Sequence, residues 1–143
     1  CVERVTFVSH DKGCCFARDG AVHLDVRNFH DPPTTHDGRN EIVWQKIFTN
    51  HPDVFTLLCR RVKEVMRESR QATLVLSFYC NGGKHRSVAC AELFGAIATS
   101  FGLETEVVHK SLEFHRNRGC ACSGCNTDRV NLPEYVAEMF MQA

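Results

Sequence analysis

The sequence predicts an α/β domain in which a mainly parallel β-sheet is flanked by helices in a three-layer-like arrangement. Apolar, β-branched runs of strand length alternate with longer segments whose apolar residues recur at helical spacing. A Gly-rich loop with basic residues lies between a buried strand and a helix. This alternation is typical of a parallel sheet, in which ligands bind near the carboxyl ends of the strands.

Each element is predicted from its pattern and from the residues that end it. Asp11–Gly13 and the Pro- and Asp-containing segment 30–39 have turn chemistry, and Gly102 ends a helix. The longest helix has Val54, Leu58 and Val62 on one face and basic residues on the other. In chain order we expect strands at about 4–9 and 22–29, helices at 41–48 and 52–69, a strand at 72–79, a helix at 88–101, a strand at 104–110 and a helix at 132–140.

Length and charge limit the classes of function. The 143 residues, 43% of them hydrophobic and 24% charged, suit a single globular domain. Seventeen basic and seventeen acidic residues give no net charge, so any RNA contact must come from a local patch. No apolar run approaches the ~20 residues of a membrane span, and we expect no membrane partner.

The cysteines and the chain start bear on location. The nine cysteines are odd in number and scattered, which is not the pattern of a disulfide framework. This predicts a reducing compartment such as the cytoplasm. Cys59 and Cys90 fall on apolar helix faces and are predicted to be small core residues. The chain begins at Cys1 and not at Met, so the sequence leaves open whether a targeting segment lies upstream.

Two parts of one domain are expected. Residues 1–113 form the α/β domain, and residues 114–143 form a Cys-rich loop and a C-terminal helix packed on it. The C-terminal helix is amphipathic, so it is expected either to pack on the sheet or to form the contact of a homo-oligomer.

The segment Cys80–Ser87 carries the chemistry. The first N–H groups of a helix and the positive end of its dipole form an anion site. Gly82 and Gly83 let the backbone close around an oxyanion, while Lys84 and Arg86 supply positive charge. Ser87 is predicted to cap the helix. The loop is therefore predicted to bind a phosphate group.

Spacing separates the known classes of phosphate loop. A nucleotide P-loop, G-x-x-x-x-G-K-[ST], is excluded because Phe78 stands where the first Gly should be and His85 follows the Lys. The tyrosine-phosphatase pattern C-x5-R-[ST] fits Cys80, Arg86 and Ser87. In that chemistry a thiolate attacks a phosphorus atom that the Arg holds.

The whole string also resembles the G-C-T-G-G-K-H-R-S-V signature of the C-terminal domain of the RNase adapter protein RapZ. Tyr79 and Asn81 depart from that signature. The positions that coincide with it are Cys80, Gly82, Gly83, Lys84, His85, Arg86, Ser87 and Val88. Four further segments follow in the family's order, at residues 5–9 (V-T-F-V-S), 24–29 (L-D-V-R-N-F), 37–40 (D-G-R-N) and 109–113 (H-K-S-L-E).

The resemblance implies a sensor or adapter that binds a phosphorylated ligand, with catalysis the less expected role. Its ligand would be a sugar phosphate such as glucosamine 6-phosphate, or an RNA phosphate. By this resemblance Arg27 would pair with phosphate or orient the loop, and Asp25 would bind sugar hydroxyls or an amine. In the alternative interpretation the two residues form an ion pair that only stabilises the end of a strand. The expected ligand-binding residues are Asp25, Arg27, Asn81, Gly82, Gly83, Lys84, His85, Arg86, Ser87 and His109. Asn40 replaces an Asp of the family. Bacterial members also carry a nucleotide-binding domain, to which this sequence has no matching motif.

The alternative function is a cysteine-dependent phosphatase. Cys80 would be the nucleophile, Arg86 the phosphate clamp and Asp31 the general acid, with Asp25 as the fallback acid. Tyr79 replaces the His that usually precedes the nucleophile, which keeps this hypothesis second.

Two other groups of residues have open roles. A Cys3His zinc site could be formed by His115, Cys120, Cys122 and Cys125, with Cys14, Cys15 or a partner chain as the alternative source of the fourth ligand. Otherwise the loop binds no metal. The second group is a basic helix face that consists of Arg60, Arg61, Lys63, Arg67 and Arg70. This face could bind RNA phosphates or could be an ordinary solvated surface. Binding to RNA would be favoured if Arg116, Arg118 and Arg129 lay beside that face.

Overall fold

The computed structural model describes residues 1–13, 21–114, 119–127 and 132–143, with backbone only at 113 and 114. Within these ranges four parallel strands form one sheet that helices flank, which confirms the predicted α/β class. None of the helices in these ranges is long and apolar enough to cross a bilayer. The elements are β1 (Arg4–Asp11), β2 (Val22–Asp25), α1 (Glu41–Phe48), α2 (Pro52–Glu68), β3 (Thr73–Cys80), α3 (Arg86–Ser100), β4 (Glu104–His109), α4 (Lys110–Phe114) and α5 (Glu134–Gln142).

The strand order brings four chain segments to one edge of the sheet. The order is β2-β3-β1-β4, and all three pairings are parallel. In the register of β1 and β3, Asp11 lies opposite Cys80. Asp25 ends β2 and His109 ends β4. Residues predicted to belong to a site therefore lie along the carboxyl edge, as expected for parallel sheets.

A chain of aromatic rings joins the sheet to the helices. Phe78 of β3 stacks on Phe7 of β1 with ring centroids 6.3 Å apart, and on Phe94 of α3 at 5.5 Å. Phe55 of α2 lies 6.1 Å from Phe94, and Phe48 of α1 lies 4.7 Å from Phe55. All five side chains are fully buried or nearly so. Burying rings of this size supplies much of the core's apolar contact area.

Helix α3 is the most deeply packed helix near the loop. A Cβ added at Gly95 would lie 2.6 Å from the Val107 side chain of β4, so a glycine lets helix and strand approach closely. Cys90 on α3 and Cys59 on α2 are buried, as predicted for small core residues. Burial raises the pKa of both thiols, to about 12 for Cys59.

Several boundaries differ from the predicted ones for local reasons. The second strand ends at Asp25 and not near residue 29, because the Asp25 carboxylate accepts the Arg27 N–H at 2.9 Å and the chain turns there. The last strand ends at His109, and the short helix α4 begins at Lys110, where no helix was predicted.

The C-terminal helix α5 packs on helices. Its Phe140 ring contacts the Phe94 ring of α3 with centroids 6.2 Å apart, and Val136 is fully buried. Lys63 of α2 donates through Nζ to the carbonyls of Met141 and Ala143 at 3.2 and 3.0 Å. The end of the chain is thereby attached to α2 and α3.

Replacing Phe94 by Ala is expected to lower the free energy of unfolding by about 3–5 kcal/mol, since the cavity would lie where three aromatic contacts meet. Phe101→Ala is the matched control, because Phe101 is 55% exposed and its loss should cost about 1 kcal/mol or less. Denaturant unfolding of both variants measures the difference. Equal costs would contradict the assigned core.

Candidate anion-binding site

Residues 81–85 connect β3 to α3 through a turn that requires glycine. Gly83 has a φ of +65°, in the left-handed region that side chains disfavour. A Cβ there would lie 2.6 Å from Ser111 Oγ and 2.7 Å from the Asp11 nitrogen. At the neighbouring Gly82 a Cβ would meet nothing within 4 Å. Gly83 is therefore the position at which the loop approaches β1 and α4.

The ends of β1 and α4 support one side of this loop. The Asp11 N–H donates to Ser111 Oγ at 2.9 Å, and the Ser111 hydroxyl donates to Asp11 Oδ2 at 2.8 Å. The Lys12 N–H donates to the Cys80 carbonyl at 2.9 Å. The sequence predicted Asp11 only as a turn residue and placed Ser111 only in the family-like segment 109–113. Their contact was missed because only the parallel pairing brings residues 100 positions apart together.

Gly38 supports the other side. Its N–H donates to the Lys84 carbonyl at 2.7 Å, and its carbonyl accepts from Trp44 Nε1 at 2.6 Å. A Cβ at Gly38 would lie 2.3 Å from the His85 oxygen and 2.4 Å from the Ala89 nitrogen. The backbone at Gly38 therefore lies directly against the first turn of α3, a contact that only glycine allows. The sequence predicted Gly38 as a turn residue and as part of the family-like segment 37–40, but not this contact with α3.

Arg86 is buried and holds the turn that follows β2. Its Nη1 donates to the carbonyls of Arg27 and Phe29, both at 3.0 Å. Its Nε lies 3.8 Å from Asp31 Oδ1, beyond hydrogen-bond range. This Nε is buried and has no hydrogen-bond partner among the described residues. Arg86 thus stabilises the turn through Nη1, while its Nε–H makes no hydrogen bond to the described residues.

After Arg86 Nε, the second buried nitrogen without a hydrogen-bond partner among the described residues belongs to His85. Its Nδ1 lies 3.0 Å from Asp31 Oδ1, so Nδ1 carries a proton that the carboxylate accepts. Its Nε2 is buried and, within the described part of the chain, has no hydrogen-bond partner. A second proton on this ring would turn Nε2 into a donor. Adjacent residues at the start of α3 therefore each present a buried nitrogen without a partner.

Ser87 does not cap the helix, which corrects the prediction. His85 occupies the N-cap position without a side-chain cap, and Ser87 lies inside the first turn, fully buried. The Cys80 thiol donates to Ser87 Oγ at 3.2 Å. Because Cys80 is the last residue of β3, this bond ties the strand to the helix across the loop. Cys80 itself is only 2% exposed.

Asp25 and Arg27 pair with each other at the rim. Arg27 donates through Nε and Nη2 to the two carboxylate oxygens at 2.9 and 2.7 Å. These hydrogen bonds hold the pKa of Asp25 below its usual value. The guanidinium lies 5.5 Å from the centre of the Tyr79 ring. The Arg27 carbonyl accepts a hydrogen bond from Arg86, while the Arg27 side chain contacts Asp25 and Tyr79.

The other expected ligand-binding residues lie around the loop in different settings. Asn81 and Gly82 are exposed at its tip. His109 has both ring nitrogens engaged, Nδ1 with Ser9 Oγ and Nε2 with Glu92 Oε1, each at 2.7 Å. His109 thus belongs to a polar network between β1, α3 and β4.

Three cysteines of the tail gather around a histidine that sequence reasoning missed. The ligand atoms of His36, Cys120, Cys122 and Cys125 all lie within 4.8 Å of one another, a possible metal-binding group. A hydrogen bond with Cys120 lowers the pKa of Cys122 to about 6, and burial raises that of Cys125 to about 12. The predicted ligand His115 and the alternatives Cys14 and Cys15 lie outside the described residues.

Two side chains of the basic face of α2 make contacts within the protein. Arg61 pairs with Glu64 at 3.1 Å, and Lys63 binds the end of α5. Arg116, Arg118 and Arg129, which would have extended the face, lie outside the described residues.

The profile of the RapZ C-terminal domain matches residues 4–113. The chain therefore belongs to the RapZ C-terminal domain family. It is similar to a protein of Parafrankia sp. named "nucleotide-binding protein", with 39% identity over 74 residues, 52% of this chain and 26% of that protein. A nucleotide-binding protein of Frankia alni is 42% identical over 60 residues, 42% of this chain and 21% of that one. Both matches span about a quarter of the relatives' length or less.

Gly83→Ala is expected to lower the free energy of unfolding by about 2 kcal/mol or more, because the new Cβ meets Ser111 and Asp11 and the left-handed backbone becomes strained. Gly82→Ala, one residue earlier, should change it by about 0.5 kcal/mol or less, since its Cβ enters open space. Denaturant titration of both variants is the measurement. A tolerated Gly83→Ala would refute the loop geometry.

Proposed function

We propose that the loop from Cys80 to Ser87 binds the phosphate group of a small phosphorylated ligand, and that the domain acts as a sensor or adapter. The observation that carries this proposal is a pair of buried nitrogens, His85 Nε2 and Arg86 Nε, that have no hydrogen-bond partner in the part of the chain that the structure describes. Both residues lie at the N-terminal end of a helix of 15 residues. An oxyanion would accept a hydrogen bond from Arg86 Nε, and from His85 Nε2 when both ring nitrogens carry a proton.

Electrostatics favour an anion at this position. The first N–H groups of α3 have no acceptor within the helix, and its dipole adds positive potential there. Lys84 and Arg86 are cationic, and the Asp31 carboxylate, whose Oδ1 lies 3.8 Å from Arg86 Nε, offsets part of that charge. A buried polar group without a partner costs about 1–3 kcal/mol, which a bound oxyanion would recover.

The ligand we favour is a sugar phosphate such as glucosamine 6-phosphate. Family membership supports this class of ligand, and Asp25 lies at the same edge of the sheet with a carboxylate that could accept from hydroxyls or an amine. The relatives named as nucleotide-binding make a nucleotide a second ligand to test. The sequence has no G-x-x-x-x-G-K-[ST] motif, which weighs against a nucleotide bound in that manner.

One observation supports phosphatase activity as a second candidate. The Cys80 thiol contacts the Ser87 hydroxyl, and the Asp31 carboxylate lies near Arg86. In that chemistry the Cys80 thiolate would attack phosphorus, Asp31 would protonate the leaving oxygen, and water would then hydrolyse the phosphocysteine. Cys80 is nearly inaccessible and Asp31 is bound to His85, so binding without turnover is the preferred function.

Isothermal titration calorimetry with glucosamine 6-phosphate, glucosamine, inorganic phosphate, a nucleoside monophosphate and a short RNA tests the proposal. We expect the sugar phosphate to bind and glucosamine not to bind. Lys84→Gln should weaken binding several-fold, and Arg86→Lys about tenfold to a hundredfold, because a charge-assisted hydrogen bond is lost. Lys46→Gln, which removes an exposed charge on α1, is the control and should bind normally.

Two further readouts separate the alternatives. Phosphate released from a phosphomonoester and abolished by Cys80→Ser would establish the phosphatase in place of the sensor. Affinity for RNA that falls steeply with salt and is insensitive to Lys84→Gln would place binding on another surface. A sugar phosphate that binds equally to the wild type and to both loop variants would overturn the assignment of the loop.

A further inference from the structure

We propose that His36, Cys120, Cys122 and Cys125 bind a structural zinc ion, and that this ion fixes the segment His36–Asn40 against the anion-binding loop. The inference is independent of the proposed ligand, because it concerns a different cluster of side chains. It also replaces His115 by His36 as the fourth ligand.

The geometry of the four side chains supports a metal. Sγ of Cys120, Cys122 and Cys125 lie 3.7, 3.3 and 3.6 Å from the same atom, His36 Nδ1. One ring nitrogen can make only one ordinary hydrogen bond, so hydrogen bonding does not explain three sulfur neighbours. Zinc bonds of about 2.3 Å to sulfur and about 2.0 Å to nitrogen place such atoms about 3.5 Å apart at tetrahedral angles. The observed distances lie around this value.

The donor set selects the metal. Three thiolates and one imidazole in a tetrahedral cluster are typical of structural zinc. Four protein ligands leave no open position, so the ion would have no catalytic role. Binding would release the protons of the thiols that are not already ionised. The Arg39 guanidinium, which is paired with Asp37, also donates to the Cys120 carbonyl at 3.0 Å and so holds the backbone at this ligand.

A second layer of hydrogen bonds orients the ligands. Asn40 Nδ2 donates to Cys125 Sγ at 3.5 Å, while Asn40 Oδ1 accepts the Ile42 N–H at the start of α1. A Cβ at Gly124 would lie 2.8 Å from Asn40 Nδ2, so a glycine allows this approach. Such outer contacts are what a metal site needs to hold its ligands.

The same segment reaches the anion-binding loop. Asp37 is fully buried, accepts the Cys120 N–H at 2.9 Å and pairs with Arg39 at 2.7 Å. Next to it, Gly38 donates to Lys84 and lies against the first turn of α3. One chain segment therefore touches the cysteine cluster on one side and the loop on the other.

Metal analysis of the untagged protein, purified under reducing conditions, tests the site. We expect about one zinc per chain, and cobalt substitution should give the visible absorption of a tetrahedral thiolate site. His36→Ala and Cys122→Ser should lose the metal, whereas His115→Ala and Cys1→Ser should keep it. Since His36→Ala could unfold the protein, His36→Cys is the second variant. It should retain cobalt, with bands moved to longer wavelength by the fourth thiolate.

Other outcomes would overturn the proposal. Loss of metal in His115→Ala but not in His36→Ala would assign the fourth ligand to His115. A purified chain without zinc or cobalt affinity, or with a disulfide among the three cysteines, would exclude the zinc site. Hydrogen exchange before and after chelation tests the coupling to the loop. Faster exchange is expected at residues 36–40 and 84–89, and unchanged exchange at 84–89 would refute the coupling.

Discussion

The contact between the Gly38 backbone and the first turn of α3 is the constraint on which the rest of the site depends. Gly38 lies so close to the His85 oxygen and the Ala89 nitrogen that no side chain fits between them. This approach holds the end of the Gly-rich loop, through the bond from the Gly38 N–H to the Lys84 carbonyl. It also places Asp37 and His36 beside the cysteine cluster. A single tight backbone contact thus joins the two groups of side chains for which we propose an anion and a zinc ion.

The two sides of the loop are supported by unlike interactions. On one side Asp11 and Ser111 exchange hydrogen bonds where the parallel strands end, and on the other Arg86 grips the carbonyls of Arg27 and Phe29. None of these bonds involves the side chains of Lys84 or His85. Asp31 holds His85 Nδ1, which leaves His85 Nε2 and the Lys84 side chain for a ligand. Preformed loops of this kind bind with a small ordering cost.

The sequence predicted what depends on local chemistry. The alternation of strand and helix, the loop after β3 and the bounds of α1 follow from periodicity and turn residues that lie next to one another. The role of His36 could not be predicted in this way, since 84 residues separate it from Cys120 and only the fold brings them together. Ser87 was assigned as a cap because serine commonly caps helices, but the buried thiol of Cys80 engages its hydroxyl instead.

The early end of β2 and the helix α4 were missed for different reasons. Val26 and Phe29 after Asp25 suit a strand, but a local bond from the Arg27 N–H to the Asp25 carboxylate turns the chain. Ser111 is bonded to Asp11 on β1, 100 residues away in sequence, and a single sequence does not reveal that contact. A local side-chain bond therefore acts at the first position and a tertiary contact at the second.

The most direct test of the central claim is a two-dimensional ¹⁵N–¹H NMR titration of the labelled protein with glucosamine 6-phosphate and with inorganic phosphate. If the loop is the anion site, the largest shifts will fall on the amides of residues 83–88, and Gly38 will respond because it is bonded to Lys84. Shifts confined to the basic face of α2, or no shifts at saturating ligand, would contradict the account.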